Sequence, residues 1–121
     1  MNTKRVGDRG EEMAADFLER KGLRILARKY RTPIGEIDLI AQDGRTLVFV
    51  EVKTRRSARR GSPAAAVGYA KQQKIARVAA WYMRTRSDTP PCRFDVVEIY
   101  APPSGAWIVR QLENAFEADG N

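Results

Sequence analysis

Residues 35–53 read GEIDLIAQDGRTLVFVEVK, and this stretch decides the fold. Two runs rich in branched aliphatic residues, Glu36–Ala41 and Leu47–Lys53, flank Asp43-Gly44, the composition of a β-hairpin with a tight turn. A turn centred on that dipeptide sets Gln42 opposite Arg45, Asp38 opposite Phe49 and Glu36 opposite Glu51. Side chains alternate across a strand, so Glu36, Asp38, Glu51 and Lys53 share one face. That face turns apolar toward the hairpin tip, with Ile40, Leu47 and Phe49. The other face is apolar throughout: Ile37, Leu39, Ala41, Val48, Val50 and Val52.

Carboxylates opposed in a sheet repel, and burial makes ionised ones costlier still. Ion pairs of Lys53 with Glu51 and of Arg31 with Glu36 are one remedy. A divalent cation with oxygen ligands is the other. Composition narrows the chemistry. The chain has no histidine, which excludes Ser-His-Asp triads, Cys-His pairs, histidine-metal nucleases and ordinary zinc centres. The single Cys92 forbids an internal disulfide and is expected to be a small buried filler. Any catalysis falls to carboxylates, lysine and a metal. The net charge of +7, from 22 basic and 15 acidic residues, points to a polyanionic partner. No apolar run is long enough to span a bilayer and the first residues carry no signal-peptide core, so a cytoplasmic location without membrane attachment is expected.

At 121 residues the chain is expected to form one domain over 1–121. The pattern predicts a helix from about Gly7 to Lys21, with an apolar stripe of Met13, Ala14, Phe17 and Leu18 and a stop at Gly22. Helical angles place Glu11 at the edge of the stripe and Glu12 on the far side. A strand over Leu23–Tyr30 precedes the hairpin. The segment Lys53–Arg60, KTRRSARR, is basic and holds no acid. Ser62 and Pro63 are expected to start a short helical turn, followed by a helix over Ala70–Arg86 with Ile75, Val78, Ala79 and Tyr82 inward and Lys71 and Gln72 flanking. Phe94–Tyr100 and Trp107–Leu112 read as a closing strand pair, and an acidic mobile tail is expected over about 113–121. The order α-β-β-β-α-β-β implies an α/β sandwich with a central mixed sheet between helices.

These residues carry a family resemblance. Asp38 followed by Glu51-Val52-Lys53 resembles the PD-(D/E)XK nuclease signature, with Ile37 where the signature's name has proline. That short pattern is common. More specific is the ordered set GDRGEEMAA (7–15), GEIDLI (35–40), FVEVKTR (49–55), KQQKI (71–75) and RFDVV (93–97). By that set, the chain is identified as a member of the YraN-like family of small bacterial proteins, which resembles Holliday-junction resolvases. The resemblance implies a restriction-endonuclease-like three-layer fold and a Mg²⁺-dependent endonuclease (Mn²⁺ as substitute) acting on structured or branched DNA. A homodimer is implied by the same analogy. In that reading Asp38 and Glu51 are metal ligands, with the Val52 backbone carbonyl as a third, and Lys53 orients water or stabilises developing charge. Glu11 completes the site from the first helix. Glu36 is either a further metal ligand or the partner of Arg31. Arg55, Arg56, Arg59 and Arg60 hold the nucleic-acid backbone without reading sequence. Lys71 and Gln72 either contact the scissile phosphate or form a solvated helix shoulder. Trp81, Tyr82 and Trp107 are expected to pack rather than to stack on bases. A nucleic-acid-binding module that does not cut is the alternative.

Overall fold

The hairpin organises the sheet. In the computed structural model, which describes residues 3–57 and 67–117, β2 (Gly35–Asp43) and β3 (Thr46–Arg55) are antiparallel neighbours. Their loop is Gly44-Arg45, flanked by the pair Asp43↔Thr46, so the turn lies one residue beyond the expected centre. Gly44 has φ +60° and Arg45 is not among the residues with positive φ, as in a type II′ turn with glycine first. The strands therefore pair as Leu39↔Val50, and every expected pair moves by two positions. A shift of two keeps each side chain on its face.

Among the described residues, three further strands and two helices complete the unit: α1 (Thr3–Arg20), β1 (Arg24–Thr32), α2 (Tyr69–Met83), β4 (Cys92–Tyr100) and β5 (Ile108–Phe116). The five-stranded sheet has the order β1-β2-β3-β4-β5, and β3 and β4 alone are parallel. Parallel neighbours need a crossover, and α2 lies in it. The expected mixed-sheet α/β sandwich and element order are what the protein has.

Each face buries its own core. Ala14, Ala15 and Leu18 of α1 pack on Leu39, Ala41, Val48, Val50, Val97 and Ile99. Ile75, Val78 and Ala79 of α2 pack on Ile37, Ile40, Leu47, Phe49, Phe94 and Val96. Ile37 thus joins Ile40 on the α2 face, not Leu39 as strict alternation requires, so the alternation of β2 breaks at Asp38. Helix α1 closes with two bonds, Gly22 N–H to Glu19 (2.9 Å) and Leu23 N–H to Leu18 (3.0 Å), while Gly22 adopts φ +97°. This is the glycine stop the sequence implies, and Leu23 and Leu18 are both in the core.

Other boundaries differ from expectation. Helix α1 begins a turn earlier because Val6 is buried. Strand β5 continues through Glu113 to Phe116, where the expected tail would begin. Phe116 pairs with Phe94 and stacks on it at 5.1 Å. Cys92 is exposed at the start of β4, not buried. The expected helical turn after Ser62 and Pro63 lies outside the described residues. Among the described residues no helix is long and apolar enough to cross a membrane.

Gly10 sets the distance between α1 and β3. A Cβ there would overlap Thr54 Oγ1, and the Thr54 Cβ lies 3.2 Å from the same point. Glycine inside a helix costs about 1 kcal/mol relative to alanine, and close approach is the compensating gain. Gly10→Ala is therefore expected to destabilise the protein by about 1–3 kcal/mol, the usual cost of overpacking. Thermal and urea unfolding of Gly10→Ala, Thr54→Ala and the double variant should show favourable coupling, because Thr54→Ala removes the overlapping hydroxyl. Strict additivity would refute the contact.

Candidate active site

The ladder between β2 and β3 stops at Leu39↔Val50, and the backbone N–H of Val52 donates to Asp38 Oδ2 at 2.7 Å. On the next step of that register Asp38 faces Glu51. Burial first, and then the Glu51 charge, push the Asp38 carboxyl up to about 8, while the Val52 N–H acts against both. The corrected register thus makes Asp38 and Glu51 the apposed pair, in place of Glu36 and Glu51.

Glu51 is buried, and two ammonium groups approach the same oxygen. Lys53 Nζ lies 3.3 Å and Lys71 Nζ 3.5 Å from Glu51 Oε2. Lys53 comes from the same strand two residues on, and Lys71 from the first turn of α2. Glu11 points from α1 toward the sheet while Glu12 is exposed, as the helical angles imply. Its charge reaches Asp38. Glu11 is also held by Lys29, whose Nζ lies 2.7 Å from Glu11 Oε1 and 3.0 Å from Asp8 Oδ1.

Lys29 is the residue that the sequence reading missed. It sits in β1 across from Asp38, between the pairs Arg28↔Leu39 and Tyr30↔Ile37, with φ +48°. A positive φ at a lysine inside a strand is uncommon. The only sequence signal was the basic cluster Arg28, Lys29 and Arg31. The two carboxylates hold its ammonium charged well above the ordinary lysine range.

The remaining candidates separate. Glu36 is exposed and bound to Arg31 Nε at 3.0 Å, so the structure realises the ion-pair alternative. Gln72 turns back to donate to the Val67 carbonyl at 2.9 Å. Arg55 is the last residue of β3, with Nε 3.7 Å from Glu98 Oε2, a buried carboxylate that also accepts from Arg110 at 3.0 Å. Arg56 is exposed and lines a cavity of about 380 Å³ together with Gly7, Glu11, Val52 and Thr54. Arg59 and Arg60 lie outside the described residues. Tyr82 packs edge-on against Tyr30 and Phe49, while Trp81 is exposed on α2. Among the described residues no three acidic side chains converge as a metal cage. Glu11, Asp38 and Glu51 are thus an apposed pair with a neighbour held by Lys29.

In the folded, metal-free protein Asp38 keeps its proton between its ordinary value near 3.8 and about 8, where the unfolded chain has released it. The folded state binds more protons in that window, so its stability falls as pH rises through it and levels off above. Asp38→Asn removes this dependence. In chelator, its thermal midpoint relative to the parent is expected to rise by several degrees from pH 5 to pH 8.5. A gap that stays constant with pH would show that Asp38 titrates normally.

Comparison with known proteins places the chain among relatives. A protein from Symbiobacterium thermophilum, "UPF0102 protein STH1475", is 56% identical over 117 residues, covering 96% of this chain and 99% of that protein. A "UPF0102 protein" of Syntrophus aciditrophicus is 49% identical over 114 residues, covering 93% and 89%. One solved structure, "The structure of Pyrococcus Furiosus SfsA in complex with Ca2+", aligns at a TM-score of 0.41 with 17% identity, covering 93% of this chain and 64% of that one. The model of the family described as "Uncharacterised protein family UPF0102" matches residues 10–99, which take in the second half of α1, the apposed acids, Lys53, Lys71 and β4 as far as Ile99. The chain belongs to this family, the YraN-like one that its ordered motifs resemble.

Proposed function

We propose that this protein is a Mg²⁺-dependent endonuclease that hydrolyses phosphodiester bonds in DNA, structured or branched DNA above all. The observation that carries the reading is the apposition of Asp38 and Glu51 at the point where β2 and β3 part. Two apposed carboxyls, Glu51 buried and Asp38 half-buried, so placed that Asp38 keeps its proton to about 8, form a hard-oxygen site in need of positive charge. Mg²⁺ is typically held by one or two carboxylates together with water and substrate phosphate, not by an all-protein cage. The pair of Asp38 and Glu51 fits that habit. Asp38 and Glu51 would hold the ion, with the Val52 carbonyl as the backbone donor between Glu51 and Lys53. When bound, the ion supplies an acidified water and charge neutralisation at the phosphate.

The chain's own groups do the rest. The Val52 N–H fixes the Asp38 carboxylate. Lys53 keeps an ammonium beside Glu51, where it can orient water or meet charge developing on the phosphate. Lys71 approaches Glu51 from α2 and is free to transfer its interaction to a phosphate oxygen. Glu11, released from Lys29, is a base or an outer partner of the ion. The net charge of +7 favours the polyanion. A binding module that does not cut is the second reading, favoured by the lysine that already accompanies each of Glu11 and Glu51.

Asp38→Asn, Glu51→Gln and Lys53→Ala are each expected to lower cleavage of a branched DNA in Mg²⁺ by about a hundredfold or more, the scale of losing an electrostatic or acid–base contribution. DNA affinity in chelator should stay within about threefold, below 1 kcal/mol. Gel assays with duplex, single-stranded and four-way DNA, beside binding titrations, measure both quantities. Undiminished cutting by Asp38→Asn would remove the mechanism. Binding without cutting by the parent on every substrate would favour the second reading.

A further inference from the structure

On the α1 side of the sheet a cavity of about 340 Å³ lies between the first turns of α1 and the loop after β4. Val6, Arg9, Arg56, Pro102, Pro103 and Trp107 are among its walls, and among the described residues no carboxylate lines it. Arg9 sets its guanidinium carbon 4.2 Å over the centre of the Trp107 ring. Trp107 is half-buried against the α1-face core, while Arg9 is exposed. The cavity shares Val6 and Arg56 with the neighbouring cavity of about 380 Å³, which reaches Glu11 and Val52. A cationic, aromatic cavity therefore adjoins the acidic site past the residue between Glu51 and Lys53.

We propose that this cavity binds one unpaired nucleotide of a DNA strand, the base stacked on the Arg9–Trp107 pair and its phosphate on Arg56. Bases stack on aromatic rings and on arginine planes, and such contacts carry single-strand binding without reading sequence. The volume lies at the lower end of the roughly 300–1,000 Å³ of small-molecule sites. It takes a single base with its phosphate and not a base pair in its duplex. The position beside the acidic site rests on the nuclease reading, and there it gives the substrate class: DNA with a single-stranded segment at the cut, as in a flap, overhang or opened branch.

Binding alone tests the subsite. The chain has two tryptophans, so Trp81→Phe leaves Trp107 as the sole indole. The full chain in chelator is titrated with a short oligothymidylate, an oligouridylate, a blunt duplex, and the same duplex with an overhang. Fluorescence anisotropy of labelled strands gives the affinities independently. Trp107 emission is expected to change with oligothymidylate and with the overhang, and to stay constant with the blunt duplex. Arg9→Ala should weaken single-strand affinity by about tenfold, the scale of one stacked base. Arg9→Lys, which keeps the charge and loses the plane, should weaken it nearly as much, and blunt-duplex affinity should be unchanged in both. No emission change with any strand, an equal change with blunt duplex, full retention by Arg9→Lys, or a response to oligouridylate alone would each overturn the proposal. Emission change without cleavage in the Mg²⁺ assay keeps the subsite and removes the nuclease. Cleavage with a silent Trp107 does the reverse.

Discussion

Two carboxyl groups facing each other where β2 and β3 part are the constraint to which the surrounding structure answers. The ladder that would continue past Leu39↔Val50 gives up a backbone partner, and the Val52 N–H turns to Asp38 instead. Ladder bonds are not surrendered without a replacement, because an orphaned backbone group in a sheet is costly. The side chain of Asp38 is that replacement. It also marks the break in alternation that sends Ile37 and Ile40 to one face and Leu39 to the other. The local backbone and the acid pair are one feature.

The sheet buries three acids, and the way each is satisfied separates scaffold from site. Asp95 is fully enclosed and accepts from Arg93, Gln111 and the N–H of Asn114, itself at φ +51° in a bulge of β5. Arg93 also reaches Asp43 at the hairpin tip at 2.9 Å, tying β4 to the turn. Glu98 is held by Arg55 and Arg110. Arg93 and Arg110 hydrogen-bond these acids through guanidinium N–H groups, while Arg55 Nε stands off from Glu98 Oε2 at 3.7 Å without a hydrogen bond between them. Among the described residues Glu51 meets two ammonium groups, at 3.3 and 3.5 Å, on long stems that can exchange partners, beside the Asp38 carboxyl. An acid held by movable point charges is available to a ligand in a way that Asp95 is not.

Much of this was legible in the residues. Period-two patterning set Ile40, Leu47 and Phe49 against Leu39, Ala41, Val48 and Val50 even though the turn was misplaced, but it put Ile37 on the wrong face because the alternation breaks at Asp38. Gly44 takes the first loop position of a type II′ turn, and the resulting slip of two leaves faces intact while changing partners. Composition alone could not choose between turn types that both accept glycine after aspartate. The helical angle of Glu11 against Glu12 was readable for the same reason of period. What escaped were features set by tertiary contact. Lys29 is an ordinary lysine in a basic strand until its φ and its reach to Glu11 are seen. Glu113–Phe116 looks like an acidic tail until Phe116 stacks on Phe94. Arg55 reads as part of a basic run, yet the strand extends far enough to lay it against Glu98.

One contact on α1 distributes the charges around the site. Gly10 is buried against Thr54, so successive residues of the same turn leave the interface on opposite sides. Arg9 goes to Trp107, and Glu11 to Lys29 and the field of Asp38. A helix rotated by one residue would bring either Arg9 or Glu11 against Thr54 and undo both placements, because each residue turns the helix by about 100°. A side chain at position 10 would push the helix away from β3 and loosen both placements together. The missing Cβ of Gly10 therefore holds acid and cation in register with the sheet, and the glycine has its functional reason in its two neighbours.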